Sequence, residues 1–420
     1  MYPSGFYRDE NSELNVQGIK ISDLTKKYGT PLFIYDTGLM KERYEVFLNT
    51  IKDVKGKIHY AVKANDSLNI INFFGKLGSG ADIVSIGEFF KCVAAGISPD
   101  KIIFSGVGKD KNEIEIALRN NILQFNIESE EELNDIYQIA SKLKITANVC
   151  LRINPDIAPN THKKISTGEK ETKFGIDNEN INAIYKKLHE LKYINPVGLG
   201  VHIGSQIFDF SFFQKAYSNL KIIADNLKNV GYNVPSLDLG GGIGIYYDEN
   251  KKTDFNAYKK IISELFLETG YKLSFEPGRI LIAEAGVLIT KVIRNKKNKD
   301  KNFIIVDAAM NNLIRPTLYD AYHKIENVKE NLGKEIIADI VGPICETGDF
   351  LALNRKLIEV KNDDLLTIRT TGAYSSVMRS NYNARVDAVE ILIHNGKPYQ
   401  LRKIDTIQEI ISKEKINEFF

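Results

Sequence analysis

The stretch Ile58-His59-Tyr60-Ala61-Val62-Lys63-Ala64-Asn65 is an apolar, β-branched run that reaches a lysine near its end. Such a run reads as a buried strand, and Lys63 falls where that strand should stop. An amine held there can be partly desolvated, which favours its neutral form and lets it condense with a carbonyl. Most lysines at strand ends are simply solvated, so the surrounding pattern decides what this one does. From about residue 57 to 280 the same rhythm returns: a short β-branched run ending in small or polar residues, then a stretch with helical apolar spacing. Strands are predicted at 57–63, 80–85, 101–106, 123–128, 145–153, 196–203, 236–241 and 272–276. Eight strand-then-helix units predict an α/β chain folded as a closed parallel (β/α)8 barrel with the helices outside. An open doubly wound sheet is the alternative, but it usually has fewer strands and carries a glycine fingerprint at the first turn, which is missing here.

The residues with chemical potential collect at the C-terminal ends of these strands. Lys63 follows the first, Asp82 and Ser85 lie on the second, and His202-Ile203-Gly204-Ser205-Gln206 spans the end of the sixth. Gly240-Gly241-Gly242-Ile243-Gly244 follows the seventh and Glu276-Pro277-Gly278-Arg279 the eighth. In a parallel barrel that face carries the active site. The segment Asn154 to Gly175, rich in Pro, Thr, Lys and Gly, reads as a lid over the barrel mouth, with a passive surface loop as the alternative.

After Ala283 the rhythm changes to alternation, as in Val287-Leu288-Ile289-Thr290-Lys291-Val292-Ile293 and Asn302-Phe303-Ile304-Ile305-Val306-Asp307, which predicts a second, antiparallel β domain. The Lys/Asn run from Arg294 to Asn302 reads as a solvated hairpin loop. The expected division is therefore 1–30 as an N-terminal segment returning to the β domain, 31–283 as the cofactor-binding barrel, and 284–420 as the β domain. A chain of 420 residues exceeds what one core usually supports, in keeping with two domains.

Composition excludes more than it selects. A formal net charge of +2 gives no reason to expect a nucleic-acid partner. The longest apolar run, Ile280 to Ile293, is interrupted by Glu284 and is too short to span a bilayer, and the N-terminus lacks a secretory pattern, so neither membrane nor export is expected. Cys92, Cys150 and Cys345 form no paired spacing, which argues against a disulfide framework or a metal site and suits a reducing cytoplasm.

Taken with Gly342-Pro343-Ile344-Cys345-Glu346-Thr347-Gly348-Asp349 and Met310-Asn311-Asn312-Leu313-Ile314-Arg315-Pro316-Thr317-Leu318-Tyr319, the strand-end motifs resemble the fold type III pyridoxal phosphate enzymes, the alanine racemases and basic amino acid decarboxylases. Within that group the resemblance is to the diaminopimelate decarboxylase family, and it covers nearly the whole chain. The resemblance implies that Lys63 bonds the cofactor, that Asp82 lies beside it, and that His202 stacks on its ring. It further implies that Gly240, Gly241 and Gly242, with Pro277, Gly278, Arg279, Ser205 and Tyr374, surround the cofactor and hold its phosphate. Glycine suits that task, since backbone N–H groups can approach an anion without side-chain obstruction.

Glu276 would face the pyridine nitrogen and keep it protonated, where racemases of this fold place an arginine. That choice favours decarboxylation. By the same resemblance Arg315, Tyr319 and Arg279 clamp a substrate carboxylate, a task that suits a guanidinium fork. Glu346 would bind the distal ammonium group, Tyr374 would also touch substrate, and Cys345 would return a proton to Cα. The family's Cys-Glu pair serves a neighbouring subunit, so a homodimer with shared active sites is implied. The expected reaction is decarboxylation of meso-2,6-diaminopimelate to L-lysine, the last step of lysine biosynthesis. Ornithine, arginine or carboxynorspermidine decarboxylation is the rival within the fold, and a non-enzymatic pyridoxal phosphate-binding protein is the rival outside it. One departure from the family lies in the predicted lid, where Lys163 and Lys164 stand where aromatic or proline residues are frequent.

Overall fold

The structure, a computed structural model, describes residues 3–157, 167–168, 172–248 and 252–417. Most of the anticipated lid, at 158–166 and 169–171, lies outside the described residues. The chain divides into two compact units, one of Arg43–Tyr246 and Lys251–Leu281, the other of Met1–Glu42, Tyr247–Asn250 and Ile282–Phe420.

The first unit is the barrel. Its strands are β1 (Lys57–Ala61), β2 (Gly80–Ile83), β3 (Ile102–Phe104), β4 (Gln124–Ile127), β5 (Ala147–Asn154), β6 (Ile194–Val201), β7 (Ser236–Asp238) and β8 (Lys272–Phe275). All are parallel to their neighbours, and the pairing of β4 with β5 closes the ring, as the eight-unit rhythm predicts. The helices between strands form for local reasons. Leu68–Lys76 buries Ile70, Ile71 and Phe74 on one face, and Lys111–Arg119 starts from a capping box of Asp110 and Glu113. Tyr60 of β1 packs on Phe74 with ring centroids 4.5 Å apart, which fixes the outward face of that strand against its helix. Alternation then turns His59 and Ala61 inward. Where β6 meets β7, Gly198 is opposite Ser236, and a Cβ on Gly198 would stand 2.1 Å from the Ser236 carbonyl oxygen.

In the second unit a sheet runs in the order Phe350–Ile358, Glu335–Val341, Lys301–Val306, Gly286–Asn298, Leu32–Asp36, Val389–His394, Lys397–Gln400. Most pairs are antiparallel. Two are parallel, Lys301–Val306 with Glu335–Val341 and Val389–His394 with Leu32–Asp36. Leu32–Asp36 is central to this sheet, so the division between the units falls at 42/43, later than the expected 30/31. Residues 247–250 also count with this unit. Its core gathers Leu14, Val16, Leu32, Ile34, Val287, Ile289, Ile391 and Ile393. The run from Arg294 to Asn302 differs from the expected loop: the ladder continues through Lys297↔Asn302 and Asn298↔Lys301, leaving only Lys299 and Asp300 to turn. Its side chains are almost all exposed, and strand pairing, not burial, holds it in place.

Gly198→Ala is expected to lower stability by about 1–3 kcal/mol through overpacking of a barrel strand pair, read as a lower denaturation midpoint with an unchanged slope.

Candidate active site

Lys63 lies in a single 3₁₀ turn, Val62–Ala64, directly after β1. Tyr60 pins this turn by donating from its hydroxyl to the Asn65 carbonyl at 3.0 Å. The pairing of Ala61 with Asp82 brings β2 alongside, and Lys63 Nζ makes an ion pair with Asp82 Oδ2 at 2.9 Å. The Asp82 side chain is wholly buried while the lysine is 35% exposed, so the amine can be reached and its partner cannot. Oδ1 of Asp82 is buried and has no hydrogen-bond partner among the described residues. Nearby, burial pushes the Glu88 carboxyl up to about 7, against the opposing pull of the Val84 N–H and the Lys63 charge.

Below this point the barrel interior is polar. Asn126 of β4 donates from Nδ2 to Ser105 Oγ at 3.1 Å and, at 3.2 Å each, to Asp238 Oδ2 and Glu276 Oε1. Gln124 Nε2 in turn donates to Asn126 Oδ1 at 2.8 Å. Burial, followed by the charges of Asp238 and Asp82, raises the Glu276 carboxyl well above the ordinary range. Asp238 is also raised by burial, with the Gly240 N–H and the Asn126 amide opposing.

The loops after β6, β7 and β8 interlock through glycines. Gly240 has φ +61° and Gly242 φ +109°, in the left-handed region that favours glycine. A Cβ on Gly241 would stand 2.3 Å from the Glu276 carbonyl oxygen, and one on Gly242 2.2 Å from that of Gly204. The Gly241 N–H donates to His202 Nδ1 at 3.1 Å. An imidazole accepting at Nδ1 is neutral, with its proton on Nε2. Its environment agrees, because burial and then the positive charges of Arg152 and Lys63 hold it well below its usual value. Arg279 Nη2 donates to Ser205 Oγ at 2.9 Å, joining the loops after β8 and β6. Behind them Arg152 pairs with Glu128 at 2.7 Å and reaches the His202 carbonyl at 3.4 Å.

Thus Lys63, Asp82, His202, Ser205, Gly240, Gly241, Gly242 and Glu276 to Arg279 occupy one end of the barrel, linked by the contacts above. The set matches the needs of a phosphorylated pyridine aldehyde: an accessible amine, a close-packed glycine turn beside a serine and an arginine, a neutral flat ring and a buried carboxyl.

The other predicted residues belong to the second unit. Arg315 is buried, its guanidinium 5.2 Å from the Tyr247 ring centroid and 5.8 Å from that of Tyr319. Its segment is tied to the Cys345 loop, because Asp349 accepts from the Met310 and Ile344 N–H groups, each at 2.7 Å, and Thr317 Oγ1 donates to the Gly348 carbonyl at 2.6 Å. Cys345 and Glu346 are both exposed. The Cys345 N–H donates to Asn383 Oδ1 at 3.0 Å, and Glu346 shares a hydrogen bond with the Tyr382 hydroxyl. Tyr374 has φ +55°, an uncommon conformation for a tyrosine.

Comparison with known proteins fits this geometry. The family described as pyridoxal-dependent decarboxylase, pyridoxal binding domain, matches residues 37–283. Diaminopimelate decarboxylase of Aquifex aeolicus is 41% identical over 96% of this chain and 96% of its own, and that of Zymomonas mobilis is 43% identical over 97% of each. The chain belongs to the diaminopimelate decarboxylase family. Among solved structures, the Helicobacter pylori family member complexed with L-lysine superposes with a TM-score of 0.90 at 37% identity, covering 93% of this chain and 98% of that one. A lysine/ornithine decarboxylase from Vibrio vulnificus, 22% identical with a TM-score of 0.79 and coverage of 89% and 97%, shares the fold.

Family membership makes pyridoxal 5'-phosphate the cofactor of this chain. Sequence reading overlooked Ser105, Asn126, Arg152, Asp238 and Tyr247. A signal was present for one of them, Asn126: the alternation Gln124-Phe125-Asn126-Ile127 places polar side chains on one face of a strand whose other face must meet helices.

Gly241→Ala is expected to displace the Glu276 backbone and weaken cofactor retention by tenfold or more, about 1.4 kcal/mol or above, measured by equilibrium titration of the cofactor-free chain.

Proposed function

We propose that this protein removes carbon dioxide from the D-centre of meso-2,6-diaminopimelate and releases L-lysine. The observation that carries the substrate choice is the joining, within one unit, of an arginine flanked by two aromatic rings to a loop presenting Cys345 and Glu346. A carboxylate and an ammonium group on the distal carbon of the substrate need that combination, and ornithine has no distal carboxylate to offer.

When bound, the cofactor supplies a ring that accepts the electron pair left as the bond from Cα to the carboxylate breaks. In this reading Lys63 Nζ is the covalent anchor, kept near the strand end by Asp82 when it is not bonded. Gly240, Gly241, Gly242, Ser205, Gly278 and Tyr374 hold the phosphate, with Arg279 bracing Ser205. His202, neutral, would lie against the ring and so add no second positive charge. Glu276 holds a proton at the ring nitrogen. Arg315, Tyr319 and Arg279 clamp the distal carboxylate by paired charge-assisted hydrogen bonds, Glu346 takes the distal ammonium, and Cys345 Sγ gives a proton to Cα.

Cys345 and Glu346 are exposed on their own unit. That exposure supports a homodimer in which they serve the site of a second copy. No helix among the described residues is long and apolar enough to cross a membrane, and a cytoplasmic place in lysine biosynthesis goes with this reading.

Purified protein with pyridoxal phosphate is expected to release lysine from meso-diaminopimelate in preference to ornithine, arginine or carboxynorspermidine in a side-by-side panel. Turnover confined to one of the others would overturn the substrate assignment. Arg315→Ala is expected to raise KM for diaminopimelate roughly 10- to 150-fold, the worth of about 1.5–3 kcal/mol for a hydrogen bond to a charged group, with kcat little changed. Lys63→Ala is expected to lose the long-wavelength absorbance of lysine-bonded cofactor; persistence of that band would exclude Lys63 as the anchor.

A further inference from the structure

Asp238 ends β7 and Glu276 follows β8, on adjacent strands paired at Asp238↔Ser274. Both residues are buried, 3% and 8% exposed, and Asn126 Nδ2, at 3.2 Å from an oxygen of each, holds the two carboxyls side by side. Two bare carboxylates held on one amide and shielded from water only repel, so the pair calls for a proton on one of them. The donors around the pair are unevenly shared. Asp238 accepts from the Gly240 N–H at 3.0 Å, from Asn126 Nδ2 at 3.2 Å and, more weakly, from Gln124 Nε2 at 3.5 Å. Glu276 has Asn126 Nδ2 at 3.2 Å and Ser105 Oγ at 3.4 Å. The amide of Asn126 has two hydrogens and faces three acceptors, Ser105, Asp238 and Glu276. Asp238 therefore has the surroundings of an anion, and Glu276 those of its acid partner.

We propose that Asp238 and Glu276 act as one acid pair holding a single proton, carried on Glu276 and passed to the ring nitrogen of the cofactor, with Asp238 as the positioning residue. This rests on the reading that Glu276 faces that nitrogen. In the transfer the O–H bond of Glu276 breaks and its electron pair stays on oxygen, while the nitrogen lone pair forms the new N–H bond. The negative charge of Asp238, added to that left on Glu276 after the transfer, stabilises the positive ring nitrogen, so the nitrogen keeps its proton once it has it. Asp238 also accepts from the Gly240 N–H, which ties the ring-nitrogen end of the site to the phosphate turn through one side chain.

The other ionisable groups facing the pair leave it in this state. Asp82 of β2 adds negative charge, and Lys63 after β1 opposes it but is already paired with Asp82. Cys150 of β5 and Tyr217 of the outer helix Ser211–Asn229 are both held protonated, chiefly by burial, and contribute no charge. No cation is paired directly with either carboxyl among the described residues.

Infrared difference spectroscopy on the full chain tests the proposal. The cofactor-free wild type is expected to show the carbonyl stretch of a protonated, buried carboxyl that Glu276→Gln lacks, which separates it from the Glu88 carboxyl, and pyridoxal phosphate should abolish that band. In the holoenzyme, the ¹⁵N resonance of labelled cofactor should report a protonated ring nitrogen in the wild type and lose that signature at a lower pH in Asp238→Asn. Absence of the carboxyl band from the wild type, or identical nitrogen titrations in the two proteins, would overturn the shared proton. The difference between the wild type and Glu276→Gln decides the matter even if Asp238→Asn fails to fold. A band that is present and persists after cofactor binding would overturn the transfer and the placement of Glu276 at the ring, whereas failure of the substrate reading would show separately as absence of lysine release.

Discussion

A carboxyl group inside a closed ring of strands must find its hydrogen bonds among the strands themselves. Asp82, Asp238 and Glu276 are all buried in the barrel, and each is answered by groups from neighbouring strands or their ends: Lys63, Asn126, Ser105, Gln124 and the Gly240 N–H. Burying such groups without partners would cost several kcal/mol each, so the ring can close only in a register that joins them. The same register places the amine of Lys63 and the carboxyl of Glu276 at one end of the barrel. Structural satisfaction and chemical function thus arise from one set of contacts.

A second constraint acts on the backbone. Gly241 lies against the Glu276 carbonyl and Gly242 against that of Gly204, so the loops after β6, β7 and β8 are as close as peptide groups can come. Side chains larger than hydrogen would separate them. With His202 held by the Gly241 N–H and Arg279 by Ser205, these three loops are fixed against one another, so little ordering would remain to be done in the proposed binding of the phosphate.

Much of this was legible in the sequence. The eight runs predicted as strands coincide with the eight strands of the ring, because each shows a β-branched core followed by small or polar residues, and strand ends are where the motifs fall. The mixed character of the second sheet was not legible, since Leu32–Asp36 and Val389–His394 pair in parallel across more than 350 residues and no local pattern encodes such a partnership. Asn126 and Asp238 escaped for a different reason: a polar residue inside a short strand looks like a solvated face until closure of the ring turns that face inward. The ladder through Arg294–Asn302 was hidden by its composition, which is that of a loop, while its pairing comes from the hairpin turn at Lys299 and Asp300.

The central claim is that a polar barrel interior aims Glu276 at the cofactor ring while Lys63 anchors it. A structure of the full chain with pyridoxal phosphate bound tests this most directly. It should show continuous density from Lys63 Nζ to the cofactor, the ring nitrogen within hydrogen-bonding distance of Glu276 with Asp238 behind it, and the phosphate at Gly240 to Gly242. A ring nitrogen turned away from Glu276, or attachment through any other lysine, would contradict it.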